Sequence, residues 1–121
     1  MSMRDTIKRA ILDAVRGKNV VYYTEQSVGV DAEYSSAWID LSVFDTADKY
    51  TVFVEYDQDI TLHIIWGAVS QVEYFVHTYD LAVTDAPKML VVPRMGRYMK
   101  VKVVNQGTVS VTVKIYVIVE P

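Results

Sequence analysis

Apolar and polar residues follow two different periods along this chain, and the change falls at Gly17. Between Thr6 and Arg16 the apolar positions Ile7, Ala10, Ile11, Ala14 and Val15 recur at intervals of three and four, the spacing that stacks side chains on one stripe of a helix. The pattern predicts a short amphipathic helix that Ser2 or Asp5 starts and Gly17 ends. Lys8, Arg9, Asp13 and Arg16 occupy its other side.

After Gly17 the period becomes two. The stretches 20–26, 37–44, 50–56, 60–66, 71–79, 89–92, 98–104 and 109–119 are rich in Val, Ile, Tyr and Thr, and each reads as a strand. Alternation is clearest in the last of them, where Val109, Val111, Val113, Ile115, Val117 and Val119 share one face and Ser110, Thr112, Lys114 and Glu120 the other. In the strand before it Met99, Val101 and Val103 oppose Tyr98, Lys100 and Lys102. Asn105-Gln106-Gly107-Thr108 between them reads as a hairpin loop, with Gly107 able to supply a positive φ. Asp57-Gln58-Asp59 is a second short polar connection, whereas 28–36 and 81–88 are long enough to cross between sheets.

Several short strands, regular turn signals and no second helical pattern favour a sandwich over a parallel α/β sheet. The expected fold is all-β, a jelly-roll-like antiparallel sandwich of about eight strands with one N-terminal helix. Residues 1–18 are assigned to that helix and 19–121 to a single sandwich domain. A length of 121 residues, 51% of them hydrophobic, suits one domain with a sizeable core.

Charge and cysteine content narrow the function. A net charge of −3 gives no overall field for a polyanion, which disfavours nucleic acid as a partner. The chain has no cysteine, so disulfides, thiolate metal sites and a cysteine nucleophile are excluded. No run approaches the roughly 18 apolar residues of a membrane span, and no signal-peptide pattern opens the sequence. Synthesis in the cytoplasm without a classical signal peptide is the expectation.

Candidates for chemistry are few. His63 and His77, the two histidines, lack a partner at ligand spacing and read as solvent-facing or interface residues. Asp45, Asp48, Asp57 and Asp59 lie in turns, where carboxylates could converge on calcium but more commonly bond the local backbone. Walker, dinucleotide and G-x-S-x-G patterns are absent. No catalytic residue, cofactor or metal site is assigned, and the chain reads as non-enzymatic.

Surface patterning offers more. Trp38, Phe53, Ile65, Phe75, Tyr116 and Ile118 fall on the strand faces opposite the expected core, more large apolar residues than a solvated sheet face carries. Together with Ile7 and Ile11 of the helix, Trp38, Phe53, Phe75, Tyr116 and Ile118 form the candidate interface, to be covered by the helix or by another subunit. Arg94, Arg97 and Lys100 surround Gly96 and are the candidate anion-binding residues, with a solvated turn as the simpler reading. Trp38, Trp66 and the nine tyrosines could instead stack on sugar rings, with Asp57 and Asp59 holding calcium.

The run Val-Pro-Arg-Met-Gly-Arg-Tyr-Met-Lys-Val-Lys-Val-Val-Asn-Gln-Gly-Thr-Val-Ser-Val-Thr-Val, from Val92 to Val113, resembles the terminal hairpin of sandwich modules in virion structural proteins and carbohydrate-binding domains. A basic amphipathic segment followed by about eight strands is also similar to single jelly-roll capsid proteins. That resemblance implies self-assembly into homo-oligomers, with other structural proteins as further partners and a virion as the setting. Being architectural, it transfers no site residue.

Overall fold

A computed structural model describes residues 19–42, 47–68 and 71–119. The expected helix, with Ile7 and Ile11, and the turn residue Asp45 lie outside the described residues. Among the described residues nine strands follow in order: β1 (Asn19–Val28), β2 (Glu33–Ser35), β3 (Ile39–Asp40), β4 (Lys49–Tyr56), β5 (Ile60–Gly67), β6 (Glu73–Leu81), β7 (Lys88–Pro93), β8 (Tyr98–Asn105) and β9 (Val111–Val119). They form two antiparallel sheets, one ordered β1-β9-β4-β7 and the other β2-β8-β5-β6, with β3 also on β8. The ninth strand arises because 28–36 is more than a connection. Its residues Glu33, Tyr34 and Ser35 pair with Val104, Val103 and Lys102.

Pairing is nested about the turn between β5 and β6. β5 pairs with β6, β4 with β7, β2 and β3 with β8, and β1 with β9, so the chain is one long hairpin folded at its middle. Two further contacts, β4 with β9 and β5 with β8, roll that hairpin into a sandwich. This winding is jelly-roll-like.

It also overturns the most strongly patterned local expectation. β8 and β9 lie in opposite sheets, so 106–110 is an arch between layers and not a hairpin loop. Alternation could not reveal this, because both strands bury the same set of positions whichever sheet they join. Asp57-Gln58-Asp59 likewise joins β4 of one sheet to β5 of the other. Gly107 does not adopt a positive φ, and its missing Cβ instead leaves room for the Gln58 side chain. Among the described non-glycine residues, a positive φ falls at Asp31 (59°), a residue type that tolerates it.

The core forms where the inner faces meet. Tyr50, Val52, Val54 and Tyr56 of β4 and Val111, Val113, Ile115 and Val117 of β9 pack against Ile60, Leu62, Ile64 and Trp66 of β5 and Met99, Val101 and Val103 of β8. At one end the arches are tied by Asn105, 2% exposed. Its Nδ2 donates to the carbonyls of Val28 (3.0 Å) and Val109 (2.9 Å), and its Oδ1 accepts the Gly107 N–H (2.8 Å). At the β1 edge the Tyr22 and Tyr34 hydroxyls bond across the two sheets at 2.6 Å.

Asn105→Ala removes the side-chain partner of the buried Val28 carbonyl and of the part-buried Val109 carbonyl and Gly107 N–H. An unsatisfied buried group costs roughly 1–3 kcal/mol, so the variant is expected to lose about 3 kcal/mol in urea unfolding with an unchanged denaturant slope. Burial and the Tyr34 bond push the Tyr22 phenol up from 10.0 to about 12. The fold favours the neutral phenol, so its stabilisation is complete below pH 10 and is lost as pH rises toward 12. Tyr22→Phe is expected to lose less stability than the parent chain across that window, measured by denaturant midpoints at successive pH values.

Candidate functional site

The two outer faces differ in chemistry. On the five-stranded sheet, register places Thr61, His63 and Ile65 beside Val104, Lys102 and Lys100 on one side and Asp80, Thr78 and Val76 on the other. His63 Nδ1 lies 3.0 Å from Thr78 Oγ1, and Lys102 reaches Glu33 at 3.2 Å. Ile65 is buried there, flanked by Val76 and the aliphatic stem of Lys100. This is the polar-out face that a solvated antiparallel sheet presents.

The outer face of the four-stranded sheet is apolar. Val20 and Tyr23 of β1, Ile118 and Tyr116 of β9, Thr51 and Phe53 of β4, and Met89 and Val91 of β7 occupy matching rows. A bulge between Val20 and Tyr22 sets this pattern on β1, turning Val20 and Tyr23 outward while Tyr22 points in. The Tyr23 and Tyr116 rings meet at 4.7 Å between centroids. Burial, followed by Tyr23 and Glu55, pushes the Tyr116 phenol upward.

Exposure across this face is graded. In the centre Ile118, Thr51 and Phe53 are 1%, 3% and 7% exposed, whereas Tyr23, Val91 and Met89 on the edge strands are 48%, 55% and 58% exposed. Phe53 and Ile118 are buried without belonging to the core cluster. They form a second apolar layer on the far side of the sheet.

The remaining candidates are dispersed. Phe75 pairs with Trp66 and so shares the inward side of the sheet, at the exposed edge strand β6, in place of the outer face expected for it. Sequence alternation is referenced to whichever residues look like core, and on β6 the aromatic residues occupy both phases. His77, also on that inward side, lies 4.9 Å from Phe75 and 6.3 Å from Trp66 between ring centroids. Desolvation pushes its pKa down, and its Nε2 and the Trp66 Nε1 are buried without partners. Trp38 is half-buried, with Lys100 Nζ 4.7 Å from its ring centroid.

Around the 93–100 turn, Arg97 reaches Asp40 at 3.6 Å and lies over Tyr98, while Arg94 donates to the Gly96 carbonyl at 3.2 Å. With Lys100 on Trp38, each of the three cations has its own neighbour. Gly96 packs against the Gly67 carbonyl so closely that a Cβ would collide with it. Sequence reading missed this glycine's packing role, for which no local signal exists.

The turn aspartates are held by backbone. Asp57 accepts the Thr112 N–H and Asp59 the Val83 N–H, both at 2.8 Å. Asp59 and Asp80 line an open depression with Thr61 and Gln106, where Thr61 donates to Asp80 at 3.0 Å. Among the described residues no group of three or more His, Cys, Asp or Glu is placed to hold a metal ion, and no helix is long and apolar enough to cross a membrane.

No family model matches the chain, and no curated protein does. Solved structures with a similar outline include a de novo designed double-stranded β-helix, at 8% identity and TM-score 0.44 over 79% of this chain and 97% of that one. A Bacillus endospore appendage protein that forms disulfide-linked pili is similar at 12% identity and TM-score 0.46, covering 84% and 87%. The carbohydrate-binding module CBM4 is similar at 14% identity and TM-score 0.47, covering 86% and 79%. The likeness is one of outline alone, and no residue role passes from them to this chain.

The second apolar layer has an energetic consequence. Replacing an exposed outer-face residue changes stability by at most about 0.5 kcal/mol, whereas truncating a buried Phe costs about 3–5 kcal/mol. Phe53→Ala is expected to fall in the second range in chemical denaturation.

Proposed function

We propose that this chain is a non-enzymatic structural protein that assembles with copies of itself through the outer face of its four-stranded sheet. The observation that carries this reading is the apolar rim of that face. Val20, Tyr23, Met89 and Val91 are exposed on the two edge strands, beside a buried apolar centre, where a solvated sheet would be polar. A symmetric pair of such faces would remove both rims from water at once. A particle or shell, a virion among them, is the setting that this reading implies.

Side-chain engagement supports a binding role over a catalytic one. Asp57, Asp59 and Asp80 already accept hydrogen bonds from neighbours, and the two histidines lie on different sides of the five-stranded sheet. The alternative of a calcium-assisted sugar-binding module draws less support. Trp66 is fully buried and Lys100 already lies over Trp38, which leaves exposed tyrosines such as Tyr23 and Tyr74 as its stacking platforms.

Light scattering coupled to size exclusion tests the assembly reading across a concentration series. Association is expected by high micromolar concentration, and Met89→Lys with Val91→Lys is expected to weaken it at least about tenfold, equivalent to ~1.4 kcal/mol. These exposed positions should leave thermal stability nearly unchanged. A parent chain that stays monomeric at every concentration and salt level overturns the proposal.

A further inference from the structure

We propose that the side of the sandwich bounded by β6 and β7 is an interface for a second copy of this chain, added edge to edge about a two-fold axis that runs between the paired His77 and the paired Leu90 residues. The contact is made by strand edges and not by the outer face, so it does not depend on the assembly reading above. Three observations carry it.

The first is the difference between the two sides of the sandwich. β1 and β2 lie together on one side, where the Tyr22–Tyr34 bond ties the layers at 2.6 Å and a bulge interrupts β1, a device that blunts an edge. β6 and β7 end the two sheets on the other side, and no described strand lies beyond either. The mouth between them is aromatic and apolar. Phe75 is 39% exposed there, and His77, Tyr79 and Leu90 are half-buried.

The second is where the edges offer backbone groups. The Arg94 N–H donates to the Asp48 carbonyl at 2.8 Å, one step beyond the Lys49–Pro93 pair. Main-chain groups alternate in direction along an antiparallel strand, so Leu90 and Val92 bond toward β4 while Met89 and Val91 turn theirs to the edge. Pro87 precedes this strand and Pro93 ends it, and neither has an N–H. The donors on offer are therefore centred on Leu90. On the other sheet the Gln106 N–H donates to the Asp59 carbonyl at 2.9 Å, one step beyond the Ile60–Asn105 pair, which turns Ile64 and Trp66 toward β6. Their partners His77 and Phe75 bond toward β5, and Val76 and Thr78 face the edge, centred on His77.

The third is that the two centres share one level. The Tyr50 and Trp66 rings lie 6.3 Å apart across the layers, and these residues pair with Val92 and Phe75. Two residues nearer the 57–59 arch, Val52 pairs with Leu90 and Ile64 with His77. A single two-fold axis normal to the sheets therefore sets Met89 against Val91 of the second copy and Val76 against its Thr78, and both sheets continue through the contact. On the inner side Tyr79 meets Phe75 of the second copy, an aromatic cross-strand pair that covers the exposed ring. Lys88 falls on the level of that pair, where its ammonium can sit over a ring face.

The absence of native cysteine makes a direct test possible. His77 would face its own counterpart in a non-hydrogen-bonded pair, with Cα atoms about 4.5 Å apart, inside the ~4.4–6.8 Å range of a disulfide. His77→Cys is expected to give a disulfide-linked dimer in a glutathione redox buffer at high micromolar protein. Asp80→Cys, exposed on the same edge, would be separated from its counterpart by about 20 Å at ~3.3 Å per residue, and is expected to stay reduced. As a second measurement, on the parent chain, the amides of Val76, Thr78, Met89 and Val91 are expected to exchange with solvent at least tenfold more slowly at high than at low micromolar concentration. A His77→Cys chain that forms no dimer, equal cross-linking through Asp80→Cys, or exchange at the four amides that does not change with concentration overturns the proposal. Association that leaves those amides unprotected is the case in which the edge contact fails and the outer-face contact stands.

Discussion

The pairing of β4 with β9 is the constraint on which the rest of the sandwich depends. Tyr50–Tyr56 and Val113–Val119 are far apart in sequence, yet they form the two central strands of one sheet. Without this ladder and its counterpart between β5 and β8, the chain is only a long nested hairpin with nothing to bury its apolar side. Closing it brings together ends of the chain with a large loop-closure cost, which the continuous apolar rows on both strands offset. The same two strands then carry apolar residues on their second face, so they are buried from both sides along much of their length.

That double burial separates the two halves of the molecule. The five-stranded sheet turns histidine, lysine, threonine and aspartate outward, satisfied by cross-strand partners, and ends at water. The four-stranded sheet turns out a second apolar layer that is dark at its centre and exposed at its edges. The two outer faces of the sandwich therefore differ in chemistry, one polar with its side chains paired and one apolar with exposed edges. The arches at the Asn105 end are held by internal hydrogen bonds, which leaves the turn carboxylates there occupied with structure.

Much of the fold was legible in the residues, and the candidate site was legible only in part. Phe53, Tyr116 and Ile118 stand out because they interrupt a polar face, and the structure gathers them with Val20, Tyr23, Met89 and Val91 into one surface. The last four escaped notice because a β-bulge on β1 changes phase within the strand, and because a short edge strand such as β7 shows too few alternations to orient. Trp38 and Phe75 carried the same apolar signal and belong elsewhere, since hydrophobicity records that a residue prefers burial and not which surface provides it. The cations around Gly96 share a short stretch of sequence but diverge in space, each toward its own aromatic, carboxylate or carbonyl neighbour.

By itself, the sequence determined the strand class, the approximate strand limits and which side of most strands is apolar, because a period of two follows from the geometry of one extended chain. Turn residues marked where the chain reverses or crosses. The tertiary structure alone decided which strands are neighbours. A four-residue polar link between two alternating strands serves equally as a hairpin loop within one sheet or as an arch between two, since alternation specifies the buried face and says nothing of the partner that takes up the backbone hydrogen bonds. For β8 and β9 the arch prevails because each finds a longer apolar ladder with a distant strand, β5 for one and β4 for the other, and that choice exists only once the whole chain has closed.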